Sequence, residues 1–215
     1  DEKTVLARTA EGEREVEADR IILATGSRPA DLPFLRANGS SILTSREVLE
    51  LAEVPKSLLV VGAGAIGIEM ATIYHRLGTE VTVLEILPTA LPGIDREMAA
   101  RLELVLKKRG LKVLTSMRIE AVEDEPGRVA LKGTSLKDGS VFEFAAKRVL
   151  LAAGRRPNSE ALAAAGGPRP GIVKGGFVAV DERLETNIPG IFAIGDLVGG
   201  KLLAHKASHE GLAAA

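Results

Sequence analysis

Cysteine is absent from this chain of 215 residues. Structural disulfides, thiolate metal sites and any thiol redox chemistry are therefore excluded from it. Only three histidines are present, and they are scattered, which argues against a metal site. No apolar run approaches the roughly 20 residues that a membrane-spanning helix needs. Excess charge is missing too: the formal net charge is −1, which gives no electrostatic case for nucleic acid or an anionic membrane. The first residues, Asp1-Glu2-Lys3, are polar at once and show no secretory-signal pattern, so the cytoplasm is the expected setting.

What is present is core-forming material. Apolar residues make up 46%, enough for one large or two small domains. The chain opens on Asp1 in what reads as the middle of a sheet, and it stops at Ala215 inside an alanine-rich helical run. A piece of something longer is the expectation.

The organising stretch is SLLVVGAGAIGIEMATIYHRLGTEVTVLE, residues 57–85. Residues 58–61 are uniformly apolar, as in a parallel strand covered on both faces. Gly62-Ala63-Gly64-Ala65-Ile66-Gly67 follows and opens a helical pattern that runs to Leu77 and stops at Gly78. Ile66, Met70, Ile73 and Leu77 are the apolar face expected to cover the sheet. A second apolar run, residues 81–84, ends in Glu85, about 20 residues beyond the glycines. Gly62 permits the tight turn, Gly64 lets backbone approach a pyrophosphate at the helix N-terminus, and Gly67 lets helix and strand pack closely. An acid at the second strand's end accepts hydrogen bonds from a ribose and repels a 2′-phosphate. Three glycines alone also fit a plain turn, but strand, helix and distal acid fall in place together here. The stretch reads as a site for NAD rather than NADP.

Around it the elements follow in order. Residues 3–9 and 14–18 read as short strands around a turn at 10–12, and residues 20–24 as an apolar strand halted by Thr25-Gly26. Arg28-Pro29 and Leu32-Pro33 break regular structure, so the stretch up to Asn38 reads as a linker. Thr44 or Ser45 caps a short helix that runs to Leu51. Asp95 caps a helix through Arg109, with Met98, Leu102, Val105 and Leu106 on its apolar face. Lys107, Lys108 and Arg109 suit that helix's C-terminal dipole better than a ligand. A strand at 112–115 follows, then a three-stranded antiparallel meander over 118–124, 128–131 and 141–144, and a closing strand at 148–152. After Asn158 the chain is irregular until a strand at 176–180; a further strand, 191–194, ends in Gly195-Asp196. That Asp stands where open α/β sheets bind ligands, although Gly-Asp also ends strands for structural reasons alone. A final helix opens at Leu202. The fold class is α/β: a Rossmann-like parallel sheet with an antiparallel meander, inserted in part of a second α/β domain.

Several of these pieces together resemble the pyridine nucleotide-disulfide oxidoreductase family of flavoproteins, and within it the dihydrolipoyl dehydrogenase branch. The matching runs are ATGSRP from Ala24, the residues 62–69 with Glu85, GRRPN from Gly154, TNIPGIFAIGD from Thr186, and LAHKASHEG from Leu203. They span nearly the whole chain. The resemblance implies an NAD-binding domain at 37–154, inserted in an FAD-binding domain that supplies 1–36 and 155–215. NAD would be held by Gly62, Ala63, Gly64, Ala65, Ile66, Gly67, Glu69 and Glu85, with Ile119 against the adenine and Gly154 near the nicotinamide half. Glu69 would reach the nicotinamide carboxamide; an acid there also complements the helix dipole. Thr25, Gly26 and Ser27 would line the flavin nucleotide, Asp196 its ribityl chain, and Leu202, Leu203, Ala204 and His205 the isoalloxazine.

The departures are as informative. The family's N-terminal FAD fingerprint, its CxxxxC disulfide and its C-terminal interface domain with a His–Glu pair are not in this sequence. The chain therefore holds none of the residues that handle the dithiol; His205 and His209 belong to the LAHKASHEG element and not to that pair. Ala65 stands where glutathione reductases carry a flavin-gating Tyr, and Glu85 argues against their NADP preference. Mercuric reductases and NADH oxidases share much of the framework. The resemblance implies NAD-linked electron transfer through FAD, with dihydrolipoamide as the dithiol, in a homodimeric parent within a 2-oxoacid dehydrogenase complex. A non-catalytic NAD-binding module and a scaffold fragment are the rival readings.

Overall fold

In the computed structural model, which describes residues 4–160, 162 and 169–215, the chain divides by contact into two units. One is Asp1–Arg28 with Arg155–Ala215, the other Pro29–Gly154. Lys3, expected to open the first strand, and part of the irregular stretch after Asn158 lie outside the described residues.

The first unit begins with a hairpin of β1 (Thr4–Thr9) and β2 (Gly12–Glu17), paired from Thr4 with Glu17 to Thr9 with Gly12. Strands β3 (Ile21–Leu23) and β4 (Ser27–Pro29) follow.

The second unit contains β5 (Ile42–Leu43), α1 (Ser45–Leu49), β6 (Ser57–Val61), α2 (Ala65–Arg76), β7 (Glu80–Leu84), α3 (Arg96–Lys108) and β8 (Lys112–Leu114). The meander β9 (Met117–Glu125), β10 (Arg128–Ser135) and β11 (Val141–Ala146) comes next, and then β12 (Arg148–Leu151). The five-stranded sheet has the order β5-β12-β6-β7-β8 and is parallel throughout. Its continuous apolar runs have a simple cause: both faces are covered. Leu58 and Val60 of β6 point to a core with Val48 of α1, Ile68, Ala71 and Tyr74 of α2, and Leu106 of α3. Leu59 and Val61 point the other way, to a core with Ile119, Val129, Leu131 and Ala146 of the meander. Residues 29–36, read as linker, belong to this unit by contact, because Leu35 is only 1% exposed in that second core.

Two helix faces differ from expectation. The buried stripe of α2 is Gly67, Ile68, Ala71 and Tyr74, whereas Ile73 and Leu77 are exposed and Ile66 and Met70 half-buried. Small residues at 67 and 71 bring the helix close to the sheet, so Ile73 and Leu77 are left outside while Met70 packs at the edge of the core. On α3, Ala99 and Leu106 are buried while Met98, Leu102 and Val105 are exposed. Small alanine again decides which side approaches.

The first unit resumes with β13 (Arg155–Pro157), which pairs with β4, and β14 (Ile191–Ala193), parallel to β3. A 3-10 turn, Gly195–Val198, and α4 (Ala204–Ala214) complete it around a small core of Val178, Ala193 and Leu197. Residues 176–180 are not a ladder strand. Their bonds go to scattered partners, Val178 N–H to Leu197 and Ala179 N–H to Gly171. Helix α4 starts at Ala204, so Leu202 and Leu203 precede it. Among the described residues, no helix is long and apolar enough to cross a membrane.

Candidate functional site

The turn after β6 is shaped by three glycines under different constraints. Gly62 sits at φ +104, and a side chain there would strike the Ala152 carbonyl. At Gly67 a side chain would strike the Gly62 carbonyl oxygen. Gly64 has an ordinary backbone (φ −71, ψ −176), and a Cβ on it would meet no protein atom within 4 Å. The first two glycines are therefore required by the fold; the third faces open space. It is also the N-cap of α2, whose end carries no side-chain cap. The first-turn N–H groups of Ala65, Ile66 and Gly67 are thus left for an anion, where the helix dipole favours one.

Ala63 is held from both sides. Its N–H donates to Glu85 Oε2 at 2.7 Å, and its carbonyl accepts from Leu91 N–H at 2.8 Å. The other oxygen of Glu85 accepts from Leu87 N–H at 2.9 Å. Glu85 is 6% exposed, so this carboxylate is desolvated and satisfied by backbone donors, with lone pairs still open to hydroxyl groups.

Beside this turn lies a cavity of about 630 Å³ within the unit Pro29–Gly154. Gly62, Gly64, Glu85, Ile119 and Gly154 line it. Ala63, Ala65, Ile66, Gly67 and Glu69 do not; Glu69 is exposed on α2. Gly154 sits at φ +135, accessible to glycine alone in practice. Most of the wall is apolar, including Leu32, Phe34, Leu84 and Met117, and Arg118 contributes to it as well. Apolar walls with a carboxylate, and with Gly64 at the start of an open helix end, suit a planar base joined to a sugar and a phosphate. Sequence reasoning missed Leu32 and Phe34, which it placed in a linker. Their signal was apolar character in a stretch otherwise full of turn residues.

In the other unit, Ser27 and Asp196 meet. Ser27 Oγ donates to Asp196 Oδ2 at 2.5 Å. Arg155 Nε donates to Ser27 Oγ at 2.6 Å and lies 3.5 Å from the same carboxylate oxygen. Thr25 and Gly26 are fixed by Asn158: its side chain donates to the Thr25 carbonyl at 2.8 Å, and its N–H to the Gly26 carbonyl at 2.9 Å. Gly195 N–H donates to Glu210 Oε2 at 2.8 Å, and the other oxygen of Glu210 pairs with Lys206 at 2.6 Å, which secures the turn that presents Asp196. Leu203 is the N-cap position of α4, again without a side-chain cap, so the amides of Ala204 and His205 begin an open helix end with Leu202 just before it. Arg155, Asn158 and Glu210 were not singled out as contacts in the sequence, although all three lie inside the quoted runs.

Comparison with known proteins gives the family. The sequence pattern of the "Pyridine nucleotide-disulphide oxidoreductase" family matches residues 1–211. The dihydrolipoyl dehydrogenase of Thermus scotoductus is 42% identical over 217 residues, covering 95% of this chain and 46% of that protein. LpdA from Mycobacterium tuberculosis superposes with a TM-score of 0.84 at 32% identity, over 98% of this chain and 45% of the other. The HOCl-induced flavoprotein disulfide reductase RclA from Escherichia coli, as its Cu(II) complex, gives 0.82 at 26% identity, over 98% and 46%. The chain thus spans less than half the length of these relatives. With a match over residues 1–211, it belongs to the pyridine nucleotide-disulphide oxidoreductase family.

Proposed function

We propose that this chain carries the NAD site, and part of an FAD site, of an enzyme that oxidises dihydrolipoamide to lipoamide with reduction of NAD. The observation that carries the NAD part is the contrast among the glycines: Gly62 and Gly67 are closed in by protein atoms, while Gly64 keeps an open space beside a buried Glu85. An unfilled approach at that one glycine has a purpose if a pyrophosphate occupies it. The amides of Gly64, Ala65, Ile66 and Gly67 then hold the phosphates. Ala63 has no free amide to offer and serves by fixing the turn. Glu85 accepts from the adenosine ribose, Ile119 lies against adenine, and Gly154 lies toward the nicotinamide half, whose carboxamide is assigned to Glu69.

Flavin is assigned to the other unit. Thr25, Gly26 and Ser27 line it, the oxygen of Asp196 not taken by Ser27 accepts from a ribityl hydroxyl, and the residues 202–205 approach the ring through backbone. Hydride transfer is supplied by the two cofactors when bound; these residues bind and orient them. The Thermus relative's name supports dihydrolipoamide as the dithiol. The setting assigned to the parent is a cytoplasmic homodimer within a 2-oxoacid dehydrogenase complex.

The absence of cysteine favours a second reading, in which the chain by itself binds NAD without turnover. The visible absorption spectrum of the purified chain, before and after adding FAD, separates the two. A flavin band bleached by NADH supports the redox reading. A colourless chain that quenches NADH fluorescence is a nucleotide-binding module, and one that does neither removes both readings.

A further inference from the structure

Between β7 and α3 the chain runs beside the glycine turn as a strap, residues 86–94, which is tied down at Leu87, Ala90 and Leu91. Leu87 N–H goes to Glu85, and the Leu87 carbonyl accepts from Ser116 N–H. Ala90 is 1% exposed, and its N–H donates to Glu103 Oε1 of α3 at 2.7 Å. The next residue, Leu91, is held at φ +53, a left-handed conformation uncommon for a branched side chain. That conformation aims its N–H at the Ala63 carbonyl, 2.8 Å away. Glu103 is absent from the wall of the 630 Å³ cavity.

We infer that Glu103 is a positioning residue for the pyrophosphate turn, acting through Ala90 and Leu91 on Ala63. The inference rests on the dinucleotide reading above and extends it to a residue outside the cavity. Its logic is local. A buried N–H must keep an acceptor, so Glu103 fixes the Ala90 peptide. With that peptide fixed, Leu91 stays left-handed and holds Ala63, whose own N–H is already committed to Glu85. The turn then meets a ligand with its geometry set beforehand instead of ordering on binding. A residue of α3 outside the cavity wall then contributes to affinity without lining the site.

Two measurements on the 215-residue chain test this: amide exchange at Ala63 and Leu91 without ligand, and titration with ADP-ribose. Glu103→Ala should speed exchange at both amides and weaken ADP-ribose by about tenfold, the scale set by one lost buried hydrogen bond. Glu103→Gln, which keeps the acceptor oxygen, should restore both. Glu103→Asp keeps the charge but is one methylene shorter and should behave like alanine, which covers the case of an alanine variant that does not fold. Faster exchange confined to Ala90, with Ala63 unmoved and ADP-ribose binding intact, would overturn the inference. If the unaltered chain binds no ADP-ribose, the dinucleotide reading fails, while the exchange at Ala63 still decides whether Glu103 holds the turn.

Discussion

At Gly67 a side chain collides with the Gly62 carbonyl, and at Gly64 it meets nothing, so substitutions at two neighbouring glycines become opposite experiments. Gly67→Ala should destabilise the chain by about 1–3 kcal/mol despite alanine's better helix propensity, because the backbone must move to admit the methyl. Urea unfolding measures it, and an unchanged midpoint would mean that helix and strand are not packed as described. Gly64→Val should melt like the unaltered protein and lose NADH binding by at least about tenfold, since the valine occupies the phosphate approach. Normal NADH titration in that variant would reduce the fingerprint to a turn. Glu85→Ala has two consequences. It should narrow the preference for NADH over NADPH, and it leaves the Ala63 and Leu87 N–H groups without their acceptor, at about 1–3 kcal/mol for a buried donor. An NADH/NADPH ratio that does not move would take Glu85 out of the ribose site. The sequence showed residue types well here and contacts poorly. The glycine spacing and the distal acid stood out, but nothing in the letters says that Glu85 grips Ala63, because that bond joins two strand ends brought together only by the sheet.

At the scale of elements, ends were legible and faces were not. Asp95 accepts from the N–H groups of Glu97 and Met98, as a cap should, and Gly78 and Gly110 follow their helices in left-handed conformations. Thr44 and Glu47 form a reciprocal capping box at α1. Bonds from the Thr44 hydroxyl and N–H hold the Glu47 carboxyl below its ordinary value of 4.5. A carboxyl lowered by folding stabilises the folded state above its unfolded pKa, and that contribution is lost as pH falls through the lower folded value. Glu47→Gln should therefore be less stable than the unaltered protein at pH 7, with the gap closing below about pH 4.5. Thr44→Ala should cost about 1 kcal/mol at neutral pH. Thermal melts from pH 7 to pH 3 decide it, and a gap that does not change with pH would deny the charge its role. Faces failed because periodicity locates a stripe only to within a neighbouring position. Ile66, Met70, Ile73 and Leu77 repeat as well as Gly67, Ile68, Ala71 and Tyr74 do. Close approach favoured the smaller residues, a packing effect that an apolar pattern does not encode. Ile68→Ala should cost about 2–5 kcal/mol and Ile73→Ala under about 0.5 kcal/mol, the reverse of a design with Ile73 on the sheet.

For the whole molecule, the distribution of buried residues makes a stronger claim than the list of motifs. Both large cores lie wholly within residues 29–154, one on each face of the parallel sheet. The other unit's described core is three buried residues, Val178, Ala193 and Leu197, with a few half-buried neighbours. From sequence, residues 1–36 are assigned to the FAD-binding part, whereas by contact the chain changes units after Arg28, because Leu35 anchors the stretch that follows to the larger unit. From this imbalance, residues 29–154 expressed alone should fold cooperatively and keep the dinucleotide site, since every lining residue of the 630 Å³ cavity lies inside that segment. A ligand that binds only the folded state at a hundred times its dissociation constant stabilises by about 2.7 kcal/mol. NADH at that excess should add this same increment to the segment and to the full chain, while FAD should add none to the segment. Thermal melts of both proteins, with and without each nucleotide, provide the comparison. A segment that melts without a sigmoidal transition would show that its cores need the rest of the chain. A segment that folds but gains nothing from NADH, while the full chain does, would place indispensable contacts for the nucleotide outside residues 29–154 and would shift the assignment of the site accordingly.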